Sequence, residues 1–180
     1  QLGGRVVCVS CWDQKEQASF AYRREAGIDM DALLGITDRF GGIDKDKAQQ
    51  LGYEVLPGDA WIEQPVEVLI PSALENQITA ESVARIAPSV RIVAEGANGP
   101  TTTDGDEALR QRGILVIPDY LANAGGVTCS YFEQVQSNAN YYWEKDEVLG
   151  KLDVKMTAAY LAVSELARKR SLSMRDAAYV

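Results

Sequence analysis

The chain alternates short apolar runs with longer stretches of helical periodicity. Apolar runs stand at 5–10, 66–70, 91–94 and 114–117, and polar or turn-forming residues bound each of them. Such runs are typical of strands. Because helical patterns separate them, their order predicts crossover connections, a mostly parallel sheet and an α/β fold with flanking helices.

The helical stretches begin and end at residues that commonly cap helices. Thr79 and Ser82 offer capping hydroxyls, without the glutamate of a full capping box, and Gly52 and Gly113 suit left-handed positions after a helix. An irregular polar stretch at 14–17 precedes the first helix. The expected helices lie at about 30–39, 44–51, 79–88, 103–112, 126–136, 145–170 and 174–178.

Length and charge limit the class of protein. With 180 residues, 46% of them hydrophobic, the chain can bury one sizeable core. We expect a single domain over 1–180, with a sheet part at 1–142 and a helical tail at 143–180. The net charge of −8 argues against a nucleic-acid partner, because phosphate binding needs clustered basic residues. No apolar run approaches the roughly 20 residues of a membrane span, so we expect a cytoplasmic protein that contacts no membrane.

Three cysteines and the lack of histidine limit the available chemistry. Without histidine, no imidazole can act as a base or as a zinc ligand. Cys8 and Cys11 form a C-x-x-C, but residues three apart on a strand point to opposite faces, which disfavours a shared metal or a disulfide. Cys129 is expected to be a small buried residue rather than a nucleophile. We expect no metal site.

Three loops that follow successive predicted strands each carry an asparagine, namely Asn76, Asn98 and Asn123. Loops after parallel strands share one edge of the sheet, where ligands of open α/β sheets bind, so these side chains should converge. An amide donates and accepts hydrogen bonds, which suits ribose hydroxyls and a carboxamide. Nearby glycines would let the backbone approach a planar ring. The alternative is that each loop is only a turn, since Asn and Gly are common turn residues.

The helix expected after the third loop carries Val127 and Ser130. Residues three apart on a helix share a face, so both should point at the same object. The positive end of the helix dipole and free N–H groups near Gly125 and Gly126 favour a carboxylate there. Ser130 could instead be an ordinary helical serine whose hydroxyl bonds a carbonyl four residues earlier.

Two segments, AEGANGPTT and IPDYLANAGGVTCSYFE, resemble the nucleotide-binding domain of the glutamate/leucine/phenylalanine/valine dehydrogenase family. The resemblance implies a Rossmann-like fold that binds NAD or NADP. It places Asn98 against the nicotinamide ribose and Asn123 against the carboxamide. Ala73 and Asn76, in the loop after the predicted strand at 66–70, match residues that lie on the cofactor side of the cleft in family members.

The resemblance also implies a substrate and a reaction. In glutamate-specific members, the residues that match Val127 and Ser130 contact the substrate side chain and its distal carboxylate. The implied reaction is reversible oxidative deamination of L-glutamate to 2-oxoglutarate and ammonia, in a full-length enzyme that is a homohexamer.

Several parts of the family pattern have no match in this chain. These are the first strand, the glycine-rich turn after it, and the lysines and aspartate that bind substrate and move protons. We therefore expect a fragment with no catalytic residue of its own, inactive by itself. Two alternatives stay open: a non-catalytic NAD(P)-binding regulatory or assembly module, and a purely structural α/β protein.

Cys11 bears on the choice of nucleotide. The strand at 5–10 matches the family's second strand, whose end usually carries the acidic residue that binds the adenosine ribose, and Cys11 stands there. Loss of that carboxylate would reduce repulsion of a 2′-phosphate, and Lys15, Arg23 or Arg24 could reach one. We expect a lean toward NADP or dual use, although these cations could equally be solvated loop charges.

Overall fold

A computed structural model describes residues 3–180, which form two compact units. The N-terminal unit runs to Val66 and includes Arg85–Pro88, and the C-terminal unit contains Glu67–Ala84 and Ser89–Val180. Each unit has its own three-stranded sheet. The expected single domain, whose first two residues lie outside the described part, stays a prediction, as does its division at residue 142.

The N-terminal unit contains an antiparallel meander with strand order β1-β2-β3. Tyr22 and Tyr53 are buried with Leu33 and Ile43 in its core. The Tyr22 hydroxyl donates to the Ile43 carbonyl at 3.0 Å, which satisfies the buried polar atom. The elements of this unit are β1 (Cys8–Asp13), β2 (Ala18–Arg23), α1 (Met30–Leu34), α2 (Lys45–Gln50), β3 (Glu54–Pro57) and a 3-10 helix (Gly58–Glu63).

The hairpin between β1 and β2 corrects the expectation for this part of the chain. The first strand begins at Cys8 rather than residue 5, and the polar stretch at 14–17 is a tight turn rather than a lead into a helix. The Asp13 carboxylate holds that turn by accepting from the N–H groups of Lys15 (2.8 Å) and Glu16 (3.1 Å). Aspartate commonly makes such local bonds in turns.

Three further features differ from the expectation: β2 and β3 were not predicted, and α1 is shorter than predicted. β2 was missed because its sequence, ASFAYR, holds no β-branched residue and no regular alternation. The helix expected at 30–39 ends at Leu34, with Gly35 as its C-cap. The sheet of this unit is therefore antiparallel: the turn at 14–17 pairs β1 with β2, and β3 pairs antiparallel with β2 after a connection that contains α1 and α2.

The C-terminal unit is built on a parallel sheet of order β4-β5-β6. Helices follow each strand, so the predicted α/β class and its crossovers are confirmed. The C-terminal helices pack on the short helix after β6 through Leu121, Ala167, Met174 and Ala177. The elements are β4 (Val68–Leu69), α3 (Ala80–Val83), β5 (Ile92–Ala94), α4 (Thr103–Gln111), β6 (Leu115–Ile117), α5 (Asp119–Ala122), α6 (Gly125–Ala139), α7 (Lys145–Arg170) and α8 (Met174–Ala178).

Helix α3 begins with a full capping box, although the sequence lacks the glutamate that usually completes one. The Ser82 N–H donates to Thr79 Oγ1 at 3.2 Å, and the Thr79 N–H donates to Ser82 Oγ at 2.8 Å. The serine hydroxyl therefore takes the place of the usual glutamate. The helix ends at Val83, before the expected end near residue 88.

Candidate functional site

The loops after β4, β5 and β6 meet at the carboxyl edge of the parallel sheet, as predicted. The Asn76 N–H donates to the Gly99 carbonyl at 2.9 Å, and the Ala97 N–H donates to the Pro71 carbonyl at 2.8 Å. These backbone bonds join the loop after β4 to the loop after β5. The loop after β6 contacts the loop after β5 through the side chain of Asn123.

Asn98 and Asn123 are in direct contact and are called the amide pair below. Asn123 Nδ2 donates to Asn98 Oδ1 at 2.7 Å and lies 3.4 Å from the Ala97 carbonyl oxygen. Both of these oxygens can only accept, so the Asn123 amide must turn its NH2 group toward them. Within residues 3–180, Asn123 Oδ1 and Asn98 Nδ2 have no hydrogen-bond partner. The amide pair thus presents one acceptor and one donor side by side.

Gly96 permits the close approach of the first two loops. A Cβ at this position would lie 2.6 Å from Ser72 Oγ. Gly96 thus makes room for the neighbouring loop. The expected approach of the glycines to a planar ring stays a prediction.

A cluster of charged side chains supports the same edge of the sheet, and we call it the Arg175 network. Glu95 directly follows β5 and is fully buried. Its Oε1 accepts from Arg175 Nη2 at 2.7 Å, and its Oε2 accepts from the Asp119 N–H at 2.8 Å. Arg175 Nε also donates to Asp106 Oδ1 at 3.0 Å, and Arg175 Nη1 lies 3.8 Å from Asp119 Oδ1.

The charge of Arg175 is held firmly by these carboxylates. Burial disfavours the guanidinium charge, but the hydrogen bond to Glu95 and the charges of Glu95 and Asp106 outweigh burial and raise the pKa of Arg175 above its ordinary value. A buried carboxylate such as Glu95 is costly unless it is paired and hydrogen-bonded. The forked guanidinium supplies that pairing at three carboxylates together.

Asp119 connects the Arg175 network to the amide pair. Its Oδ2 accepts from the Gly99 N–H at 2.8 Å, next to Asn98 in sequence. Its backbone carbonyl accepts from the Asn123 N–H at 2.8 Å. One residue therefore contacts the backbone beside both asparagines.

Sequence reasoning gave no role to Glu95, Asp119 or Arg175. A signal was present, because Glu95 follows β5 immediately and Asp119 stands two residues after the end of β6. Acidic residues at the carboxyl ends of parallel strands lie where α/β proteins bind ligands. Arg175 carries no such signal, since it is 80 residues from Glu95 along the chain.

Val127 and Ser130 both lie on α6, one helical turn apart, and both are exposed. The Ser130 hydroxyl donates to the Gly126 carbonyl at 3.1 Å, which is the bond of the alternative interpretation. The Gly126 N–H, expected to be free, donates to the Asn123 carbonyl at 3.4 Å. The substrate role of the two side chains stays a prediction.

Ala73 and Asn76 lie exposed in the loop after β4. Asn76 adopts a left-handed conformation with φ of 56°, and its backbone rather than its side chain joins the neighbouring loop. Asparagine tolerates this conformation better than most residues. The cofactor role of both residues stays a prediction.

Cys11 lies within β1 of the N-terminal unit, not at its end. The strand continues for two residues to Asp13, whose carboxylate is bound to the turn that follows. Burial raises the pKa of Cys11, and it raises the pKa of Cys8 to about 11, so both thiols stay protonated near neutral pH. The expected position of Cys11 is therefore wrong, and its cofactor role stays a prediction.

The three cations proposed for a 2′-phosphate have partners within the N-terminal unit. Lys15 lies 3.9 Å from Asp38, Arg23 binds Glu54 at 2.9 Å, and the Arg24 guanidinium lies 5.6 Å from the centre of the Tyr53 ring. Their role at a 2′-phosphate stays a prediction.

Comparison with known proteins decides the family. The family model for glutamate/leucine/phenylalanine/valine dehydrogenases matches residues 1–180. The chain belongs to this dehydrogenase family. The NAD-specific glutamate dehydrogenase of Staphylococcus aureus is 41% identical over 179 residues, which are 99% of this chain and 40% of that protein. The enzyme of the same name from Clostridioides difficile is 39% identical over 181 residues, covering 100% of this chain and 41% of its own length.

Solved structures of the dehydrogenase family have the same fold. The crystal structure of glutamate dehydrogenase from Peptoniphilus asaccharolyticus superposes with a TM-score of 0.75 at 35% identity, over 98% of this chain and 38% of that one. This chain thus spans about 40% of the length of the curated relatives it matches. The two curated relatives named above are NAD-specific and give no support to the expected lean toward NADP. Among residues 3–180, no helix is long and apolar enough to cross a membrane.

Proposed function

We propose that this chain is the nucleotide-binding part of an NAD-dependent glutamate dehydrogenase, and that the amide pair binds the nicotinamide end of the cofactor. The observation that carries the proposal is the hydrogen bond between Asn98 and Asn123 at the carboxyl edge of the parallel sheet. Open α/β sheets bind dinucleotides at this edge. Family membership and the NAD-specific relatives support the choice of cofactor.

The two polar atoms that the amide pair presents fit this cofactor. Asn123 Oδ1 is an acceptor, which suits the NH2 group of the carboxamide, and Asn98 Nδ2 is a donor, which suits a ribose hydroxyl. Because Asn123 Nδ2 is already engaged by Ala97 and Asn98, its amide cannot rotate freely. The site is therefore organised before a ligand arrives, which lowers the entropic cost of binding.

The proposed reaction is the reversible oxidative deamination of L-glutamate to 2-oxoglutarate and ammonia. The cofactor supplies the hydride chemistry, and the protein supplies orientation and electrostatics. Val127 and Ser130, exposed on the first turns of α6, are the proposed contacts to the substrate side chain. The positive end of the α6 dipole favours the distal carboxylate there. The full-length protein is proposed to be a homo-oligomer.

Titration of the chain with NADH by calorimetry tests the proposal. We expect saturable binding by the natural chain and an approximately tenfold loss of affinity in Asn123→Ala, because about 1.4 kcal/mol is typical of hydrogen bonds lost at such a site. Asn138→Ala is the matched control, since Asn138 is an exposed asparagine near the end of α6, whereas Asn123 caps the end of α5. It should bind NADH like the natural chain.

Two results would contradict the proposal. One is the absence of saturable NADH binding by the natural chain. The other is equal NADH affinity of Asn123→Ala and Asn138→Ala, which would remove the amide pair from the site. A parallel titration with NADPH tests the choice of nucleotide, and tighter binding of NADPH would contradict the assignment of NAD.

A further inference from the structure

The carboxylate of Glu95 is buried by the C-terminal helix of the chain as well as by the sheet edge. Its partner Arg175 stands on α8, whose backbone is tied to α5 because the Tyr120 hydroxyl donates to the Arg175 carbonyl at 2.7 Å. The Tyr120 ring also lies 5.0 Å from the Tyr179 ring, centre to centre. The position of the guanidinium is therefore fixed in two ways: Tyr120 binds the Arg175 backbone, and carboxylates bind the side chain.

The connections from Arg175 to the amide pair are short and continuous. Arg175 binds Glu95, Glu95 binds the Asp119 N–H, and Asp119 binds the Gly99 and Asn123 N–H groups through its side chain and its carbonyl. Each of these hydrogen bonds is between 2.7 and 2.8 Å long. A hydrogen-bond chain of this kind fixes the residues at its end more firmly than separate bonds would.

Building on the proposed cofactor site, we propose that Arg175 is a positioning residue for the amide pair. It touches neither asparagine, and it acts by holding Glu95 and Asp119 in the places from which Asp119 orients the Asn98 loop and Asn123 at the end of α5. A site that must hold a ligand within a fraction of an ångström depends on such supporting contacts. Loss of Arg175 is expected to loosen the amide pair and weaken nicotinamide binding.

The test compares variants of the whole chain by two measurements. Arg175→Met removes the guanidinium and leaves the buried Glu95 carboxyl without its ionic partner, which can unfold the protein. The double variant Glu95→Gln with Arg175→Met removes both charges and is expected to stay folded. Arg168→Met is the matched control, because Arg168 is an exposed arginine in the last turn of α7.

The first measurement is hydrogen exchange of the Gly99 amide by NMR without ligand. The second is NADH affinity by calorimetry. In the folded double variant we expect the Gly99 amide to exchange about tenfold faster and NADH to bind about tenfold more weakly, since Asp119 loses Arg175 and its N–H faces a neutral amide instead of the Glu95 carboxylate. Arg175→Lys should fall between the natural chain and the double variant, because an ammonium cannot bridge three carboxylates as a guanidinium does.

The two measurements separate the possible failures. A folded double variant with unchanged Gly99 exchange and unchanged NADH affinity overturns the positioning role. Faster Gly99 exchange with unchanged NADH affinity also overturns it, because the network would then only stabilise the loop. A natural chain that does not bind NADH overturns the proposed function instead, while Gly99 exchange still reports whether Arg175 fixes this loop.

Discussion

Asn123 shows at the scale of one residue how local contacts decide what a side chain can bind. Its NH2 group is used by Ala97 and Asn98, so its oxygen is the atom left for a ligand. The sequence predicted the asparagine and the edge of the sheet where it lies. The direction of its amide follows from contacts with a loop 25 residues away, which local sequence cannot specify.

Gly105 is a second residue whose role follows from tertiary contacts. Alanine normally stabilises a helix interior relative to glycine by about 0.5–1 kcal/mol. At Gly105 in α4, however, a Cβ would lie 2.4 Å from the Ile78 carbonyl oxygen and 3.0 Å from its carbon, and backbone atoms cannot yield as a flexible side chain can. We expect Gly105→Ala to destabilise the protein by about 1–3 kcal/mol, measured by urea denaturation.

Gly150→Ala is the control for this substitution. Gly150 lies within α7, and a Cβ there would meet no atom within 4 Å. We expect the variant to be more stable than the natural chain by about 0.5–1 kcal/mol. Equal effects of the two substitutions would show that helix propensity, not the approach of Ile78, decides the stability at Gly105.

At the scale of elements, periodicity predicted helices better than strands. Helices α7 and α8 begin and end where the pattern placed them. For α7 the reason is its length, because the helical repeat of apolar residues is clearer over many turns. The hairpin of β1 and β2 was missed, since the polar turn that Asp13 organises resembles a loop between separate elements. The parallel strands were found but are shorter than their apolar runs, as in β4.

The start of α4 depends on Thr102 as its N-cap. Thr102 Oγ1 accepts from the Gly105 N–H at 3.2 Å and donates to the Ile78 carbonyl at 3.2 Å. We expect Thr102→Ala to lower the free energy of unfolding by about 1–2 kcal/mol, because an N–H of the first turn loses its acceptor. Urea denaturation followed by circular dichroism measures this change.

The neighbouring Thr103 provides a matched control. It is the first residue of α4 and is exposed. Thr103→Ala should change the stability by less than about 0.5 kcal/mol, as is usual for surface positions. A loss in Thr103→Ala as large as that in Thr102→Ala would contradict the capping role.

At the scale of the whole molecule, the chain combines an antiparallel unit and a parallel unit, each with its own buried core. The apolar pattern of the sequence was interpreted as one mostly parallel sheet. That interpretation holds for the C-terminal unit, which contains the amide pair. The N-terminal unit departs from it, because the tight turn after Asp13 joins β1 and β2 as an antiparallel hairpin, and β3 then pairs antiparallel with β2.

We expect the isolated 180-residue chain to bind NADH but not to oxidise glutamate. The reason is that it matches only about 40% of the length of the curated relatives. The measurement is NADH formation from NAD and glutamate by purified chain. A rate that rises in proportion to the concentration of purified chain and requires glutamate would show this expectation to be wrong.

The sequence by itself determined the α/β class, the long C-terminal helices and the edge of the sheet where Asn98 and Asn123 lie. These follow from periodicity and from the rule that parallel strands end at a common edge. Tertiary structure alone decided that the two amides bind each other and that Arg175 reaches Glu95 across 80 residues of chain. Hydrogen bonds between distant residues depend on distance and direction in space, and a pattern along the chain contains neither.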